Sequence, residues 1–236
     1  AAQDGRDNDG NITQTVAGVK QLTSIEGKFK GVRQGTGVGD NRYSTHSRTT
    51  ITTSSKIIVM AAAEVWFLRA EAALRGFTSE DVESCYKQGV TTSFAQWDAS
   101  GVSEYLESEN TPADYVDTFD KNFDAKATTS ITPKWDNTAD NETKLERIIT
   151  QKWLAIYPEG CEAWAEQRRT GYPKLFKVVV NNSSNTISTD EMIRRVFFNQ
   201  DYITNNKPLY DALVSKLGGL DTGGTRLWWD TGKNNF

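Results

Sequence analysis

Histidine, cysteine and methionine are scarce in these 236 residues, with one histidine, two cysteines and two methionines. Cys85 and Cys161 show no CxxC spacing, and the lone His46 cannot complete a sulfur and imidazole donor set, so zinc and iron–sulfur centres are excluded. That histidine sits in a Ser/Thr-rich stretch, which leaves a Ser/His/Asp triad or a Cys161/His46 dyad unsupported. Both cysteines fall in helical stretches and are expected as buried free thiols. Long apolar runs are missing too. The longest, residues 57–63, is far short of the ~20 residues a membrane-spanning helix needs. Gly35 to Gly39 lacks the lysine and the preceding apolar strand of a phosphate loop, no dinucleotide fingerprint is present, and no cofactor is implied. The opening residues, Ala1 to Asp7, have no initiator methionine and no basic or apolar leader region, and read as the start of a processed or partial chain.

The charge is unevenly spread. The chain is net -4, yet residues 76–143 alone hold fourteen acidic and four basic groups. Such a field repels phosphate backbones and anionic head groups, so nucleic acid is not expected as a partner. Asp7-Asn8-Asp9-Gly10-Asn11 faintly resembles a calcium loop, but its glycine falls early and Gly18 stands where a bidentate Glu should be. Seven Trp, eight Tyr and ten Phe are the more informative residues.

Residues 1–55 are rich in Gly, Thr, Ser and Asn without sustained periodicity, which predicts loops with one short hairpin, packed on the rest. Residues 56–236 read as a helical region, making a single domain overall. The first helix runs over 56–75, with Ile58, Ala61, Ala62, Val65, Leu68 and Ala72 on one face and Gly76 as its stop. Glu71 and Arg75 are spaced for an i, i+4 pair, and Glu64 is expected to be satisfied by a neighbouring helix or Arg69. A capping box at Thr78 and Asp81 starts a second helix ending near Gln96, giving an antiparallel helical hairpin. Thr111-Pro112-Ala113-Asp114 signals another helix start, and 125–140 a loop. Asn141 opens an amphipathic helix bearing Leu145, Ile148, Ile149, Trp153 and Ile156. A shorter helix spans Gly160 to Thr170, stopped by Gly171. Leu175 to Val180 is β-like, and a last helix covers 207–217. The fold class is therefore mainly α, built from helical pairs.

Three segments carry a family resemblance: Ala63-Glu64-Val65-Trp66-Phe67-Leu68-Arg69-Ala70-Glu71-Ala72-Ala73-Leu74-Arg75-Gly76, Leu145 to Trp153, and Glu162 to Pro173. Arg194-Arg195 and Gly223 to Asp230 extend it, so the match runs from about 57 to 230 in order. The chain resembles the SusD/RagB family of Bacteroidetes lipoproteins. The resemblance implies a scaffold of tetratricopeptide-like helix pairs, and the C-terminal portion of a longer protein. It further implies a glycan or other nutrient as ligand, a SusC-type TonB-dependent transporter as partner, and a place at the outer-membrane cell surface. Contact with the membrane would run only through a lipid anchor that this segment lacks.

Pyranose rings stack their C–H faces on aromatic rings while polar side chains bond the hydroxyls. The candidate ligand residues are accordingly Trp97, Trp135, Tyr43 and Tyr105, with Arg33, Arg42 and Asp98 close by in sequence. Tyr115, Asn41, Asp136 and Asn137 share that character. Trp66, Trp153 and Trp164 lie in patterned helices and are expected to pack in the core. Two other classes stand beside non-catalytic glycan binding. A purely structural, protein-binding lid would spread its aromatics over a flat helical face. A glycoside hydrolase would need a carboxylate pair across the substrate, and Glu162 and Glu166 offer one only on a single helical face.

Overall fold

The computed structural model describes residues 3–6, 12–16, 19–21, 31–36, 47, 49, 51–55, 57–117 and 120–236. Two compact units emerge. One comprises Ala1–Thr50, Asp114–Lys126 and Phe176–Gly232, and the other Ile51–Ala113, Ala127–Leu175 and Lys233–Phe236. Among the described residues the chain is mainly α, with seven helices and one small sheet. No helix there is long and apolar enough to cross a membrane.

The second unit holds the helical pairs. Helix α1 (Ala62–Leu74) and α2 (Val82–Gln96) form the expected hairpin, and α4 (Asn141–Ala155) packs against both. The short α3 (Val102–Leu106) lies between, and α5 (Gly160–Thr170) follows. Phe67, Tyr86, Val90, Leu145, Ile148 and Ile149 form the centre of the core, each essentially solvent-free. Tyr86 is its keystone. Its ring lies 6.2 Å from Phe67 and 5.1 Å from Trp135, and its hydroxyl donates to the Pro133 carbonyl at 2.6 Å. Helices α1 and α2 touch so closely that a Cβ on Gly89 would stand 2.8 Å from the Phe67 ring.

Several sequence expectations need correction here. Helix α1 begins at Ala62, not 56, and buries Ala63, Glu64, Phe67, Ala70 and Glu71, whereas Val65 and Leu68 are exposed. The helix is apolar around most of its girth, so periodicity could not choose a face; the small Ala63 and Ala70 flanking Phe67 give the closest fit. Asp81 is itself the N-cap of α2, accepting from the Ser84 amide at 2.8 Å, and Thr78 is not paired with it in a box. Asp140, not Asn141, caps α4. Thr111 to Asp114 is not helical, and the chain passes from it into an antiparallel bridge between Tyr115 and Ala125. Cys85 is buried, as expected, but Cys161 is exposed at the start of α5, and both are free. A thiol reagent should therefore titrate one group in the native protein and two after denaturation without reductant. Two native groups, or none, would contradict this placement.

The interface of α1, α4 and α5 is ionic. Lys152 of α4, 1% exposed, reaches Glu64 at 3.3 Å, Glu162 at 3.0 Å and Glu166 at 3.3 Å. Arg169 bridges Glu166 at 2.7 Å and Glu71 at 2.6 Å, and Glu71 also takes Arg75 at 2.8 Å. Glu64 thus finds its partner on a neighbouring helix, while Arg69 turns to Glu80.

The first unit contains the antiparallel meander of β1 (Gln3–Arg6), β2 (Ile12–Val16) and β3 (Val19–Gln21), with Arg6 opposite Ile12 and Val16 opposite Val19. It also holds α6 (Gln200–Asn205) and α7 (Lys207–Leu217), the latter closed by Gly218 at φ 75°. Residues 175–180 form no strand; the Val180 amide donates to Gly35 O at 2.7 Å, and the Phe176 and Lys177 carbonyls accept from the Gln34 and Arg33 side chains. Buried Arg194 is ion-paired with Asp230 at 2.6 Å. A Cβ on Gly224 would collide with the Thr186 carbonyl oxygen, which explains a glycine there.

Candidate functional site

One face of α4 gathers polar and apolar residues at helical spacing. Arg147, Thr150, Gln151 and Leu154 fall at i, i+3, i+4 and i+7, and they form one wall of an open groove of about 300 Å³. The other walls come from Tyr105, Thr111, Ile131 and Pro133. Tyr105 and Gln151 clasp each other, the amide donating to the phenol at 2.8 Å and the phenol to the amide oxygen at 3.1 Å. Burial pushes the Tyr105 phenol above its ordinary pKa. Arg147, 5% exposed, donates from Nε to the Thr132 carbonyl at 3.0 Å, and desolvation draws its guanidinium below the usual arginine value.

One turn beyond this stripe, where α4 has ended, Tyr157 stands out from the surface at 46% exposure. Trp97, 44% exposed, lies beside it with ring centroids 6.2 Å apart and planes inclined at 50°. Trp97 terminates α2, and the next residue, Asp98, adopts φ 50°, a conformation that Asp tolerates better than most residues. That turn ends the helix and leaves both rings half open to solvent. From Arg147 to Tyr157 the helical rise amounts to about 15 Å. Groove and aromatic pair belong to the same unit, and neither Trp97 nor Tyr157 lines the groove.

The sequence-derived candidates fare differently. Tyr105 lines the groove, and Trp97 belongs to the aromatic pair, with Asp98 next to it in sequence. Trp135 is 8% exposed and lies in the core, its indole N–H donating to Asn137 Oδ1 at 2.9 Å and its ring 5.8 Å from the Arg147 guanidinium carbon. It supports the groove from beneath. Arg33 belongs to the first unit, where its guanidinium donates to the carbonyls of Phe123, Asp124 and Lys177 at 2.7–3.2 Å. Arg42 and Tyr43, like Asn41, His46 and the acidic stretch Asp7 to Asn11, lie outside the described residues. Tyr115, also in the first unit, takes the Arg33 amide on its hydroxyl at 3.3 Å, and burial pushes its phenol up to about 12. Trp66 and Trp164 are half-buried under Arg69 and Arg168, whose guanidinium carbons sit 3.9 and 3.7 Å from the ring centroids. Glu162 and Glu166 both converge on Lys152, so their charges serve the ionic interface. Among the described residues no group of three or more His, Cys, Asp or Glu is placed to hold a metal ion. Sequence reasoning missed Tyr157, Arg147, Thr150 and Gln151; the polar residues at 147, 150 and 151, followed by Leu154 at i+7, were the available signal.

Comparison with known proteins gives a consistent result. A profile described as Susd and RagB outer membrane lipoprotein matches residues 8–230. The chain is similar to a solved SusD homologue from Bacteroides vulgatus at 49% identity and TM-score 0.75, covering 89% of this chain and 44% of that one. A chitin-binding SusD homologue from Flavobacterium johnsoniae is 46% identical with TM-score 0.71, covering 76% and 38%. A SusD homologue from Bacteroides thetaiotaomicron is 34% identical with TM-score 0.81, covering 98% and 48%. The chain thus spans less than half the length of each of these structures. A comparison with curated proteins finds no significant match.

Proposed function

The chain belongs to the SusD/RagB family of outer-membrane lipoproteins, and from that premise we propose that it is a non-catalytic, cell-surface glycan-binding protein serving a SusC-type transporter. The observation that carries the glycan reading is the half-exposed pair of Trp97 and Tyr157, in the same unit as a groove whose lining mixes apolar and polar side chains. Inclined aromatic faces suit the C–H patches of a pyranose, and the groove supplies hydroxyl and amide partners to the sugar's own hydroxyls. Trp97 and Tyr157 act as stacking faces, with Asp98 and Tyr105 as hydrogen-bonding neighbours. The similar protein that binds chitin supports a polysaccharide ligand.

Affinity electrophoresis against a panel of neutral and acidic polysaccharides tests this directly. Replacing Trp97 or Tyr157 with alanine should abolish retardation while the melting temperature stays near wild type, since both rings lie outside the core. Retardation unchanged in both variants would remove the pair from the site. The transporter role is tested separately: capture by a SusC-type partner should survive Trp97→Ala, because stacking and docking use different surfaces in this reading.

A further inference from the structure

Arg147 and Thr150 are the groove residues whose buried polar atoms the protein leaves unsatisfied, although the Arg147 guanidinium also lies over the Trp135 ring. Lys152, at similar depth on the same helix, is held by three carboxylates. Arg147 has no carboxylate within ion-pair distance among the described residues, and its hydrogen bonding is confined to the Nε contact with Thr132 O. Its Nη1 is buried with no hydrogen-bond partner, and so is Oγ1 of Thr150, one turn along the same wall. The carboxylates whose fields reach Arg147, Asp136 and Glu146, are engaged elsewhere. Asp136 takes the Thr138 amide and hydroxyl, and Glu146 takes the Thr129 hydroxyl and faces Lys174 at 3.5 Å. A desolvated, unpaired guanidinium is costly to keep. Native proteins leave such groups unpartnered only rarely, and an absent ion or ligand is one standing reason.

We propose that this groove binds the carboxylate of an acidic sugar, a uronic-acid residue within a glycan, with Arg147 as its counter-charge and Thr150 as a second partner. The inference rests on the glycan reading above and adds the charge of the ligand to it. A planar carboxylate matches the forked donors of a guanidinium. The acidic surroundings of residues 76–143 disfavour a multiply charged phosphate more than a singly charged carboxylate. Ile131, Pro133 and Leu154 offer apolar contact to the ring face of the same residue.

Isothermal titration of the wild-type protein with oligogalacturonate and with its methyl ester decides the matter, since the ester keeps every ring hydroxyl and replaces the anionic carboxylate with a neutral methyl ester. The acid should bind at least about tenfold more tightly than the ester. Arg147→Met should erase that difference, whereas Trp97→Ala should weaken both ligands alike. Should Arg147→Met fail to fold, the wild-type comparison stands alone. Equal affinity for acid and ester overturns the acidic-sugar assignment and leaves glycan binding intact. So does binding of neutral polysaccharides with no binding of either uronate form. No retardation by any polysaccharide would overturn both readings.

Discussion

Lys152→Ala is expected to lower folding stability by about 3–5 kcal/mol, the cost of breaking a buried ion pair by removing one partner. The substitution strands buried Glu64, takes one of two cationic partners from buried Glu166, which keeps Arg169, and releases the more exposed Glu162. Urea unfolding followed by circular dichroism measures it, and a loss below about 1 kcal/mol would mean that water already screens the site. The pH dependence has a definite sign at each end. Burial alone would lower the Lys152 pKa, but Glu166, Glu162 and Glu64 outweigh it and raise the value above 10.5. Its contribution is therefore complete below 10.5 and is lost as pH rises through the raised value. Burial alone would raise the Glu71 carboxyl, but Arg169 and Arg75 hold it below 4.5. That contribution is present above 4.5 and disappears as pH falls through the depressed value.

Tyr86→Ala is expected to cost a comparable amount, about 3–5 kcal/mol, as large-to-small changes of buried aromatics do. The ring is solvent-free between Phe67 and Trp135, so its removal opens a cavity where α1, α2 and α4 meet. Tyr86→Phe isolates the hydroxyl. It should cost only about 1–2 kcal/mol, for the lost bond to Pro133 O. Thermal or urea unfolding of the two variants separates cavity from hydrogen bond. Equal losses would show that the hydroxyl, not the packing, fixes Tyr86.

Helix existence was legible in the sequence wherever a cap and a stop bracketed a periodic run. Gly160 to Thr170 with Gly171, and 207–217 with Gly218, have the bounds expected. The α4 face of Leu145, Ile148, Ile149 and Ile156 is buried as its spacing implies, although Trp153 is only half-buried. Periodicity failed on α1 because alanines dominate both sides, so the contrast on which a helical face depends was missing. It also misled at Thr111 to Asp114, where local capping chemistry was overridden by strand-like pairing from Tyr115 to Ala125. The candidate site was half legible. Trp97, Asp98 and Tyr105 stood out as loop or helix-end residues, but Tyr157 is brought to Trp97 only by the packing of α4 beside α2. Trp135 looked like a loop aromatic, and tertiary packing put it under Tyr86 instead.

The ionic interface around Lys152 also bears on heat. Ions hydrate less favourably as water warms, so the penalty for enclosing a charged hub falls with temperature, while apolar burial per unit area levels off. The contact of α1, α4 and α5 should thus gain weight relative to the apolar core as the protein is heated. Calorimetry of wild type beside Lys152→Ala would then show their stability curves drawing apart toward the melting region rather than running parallel.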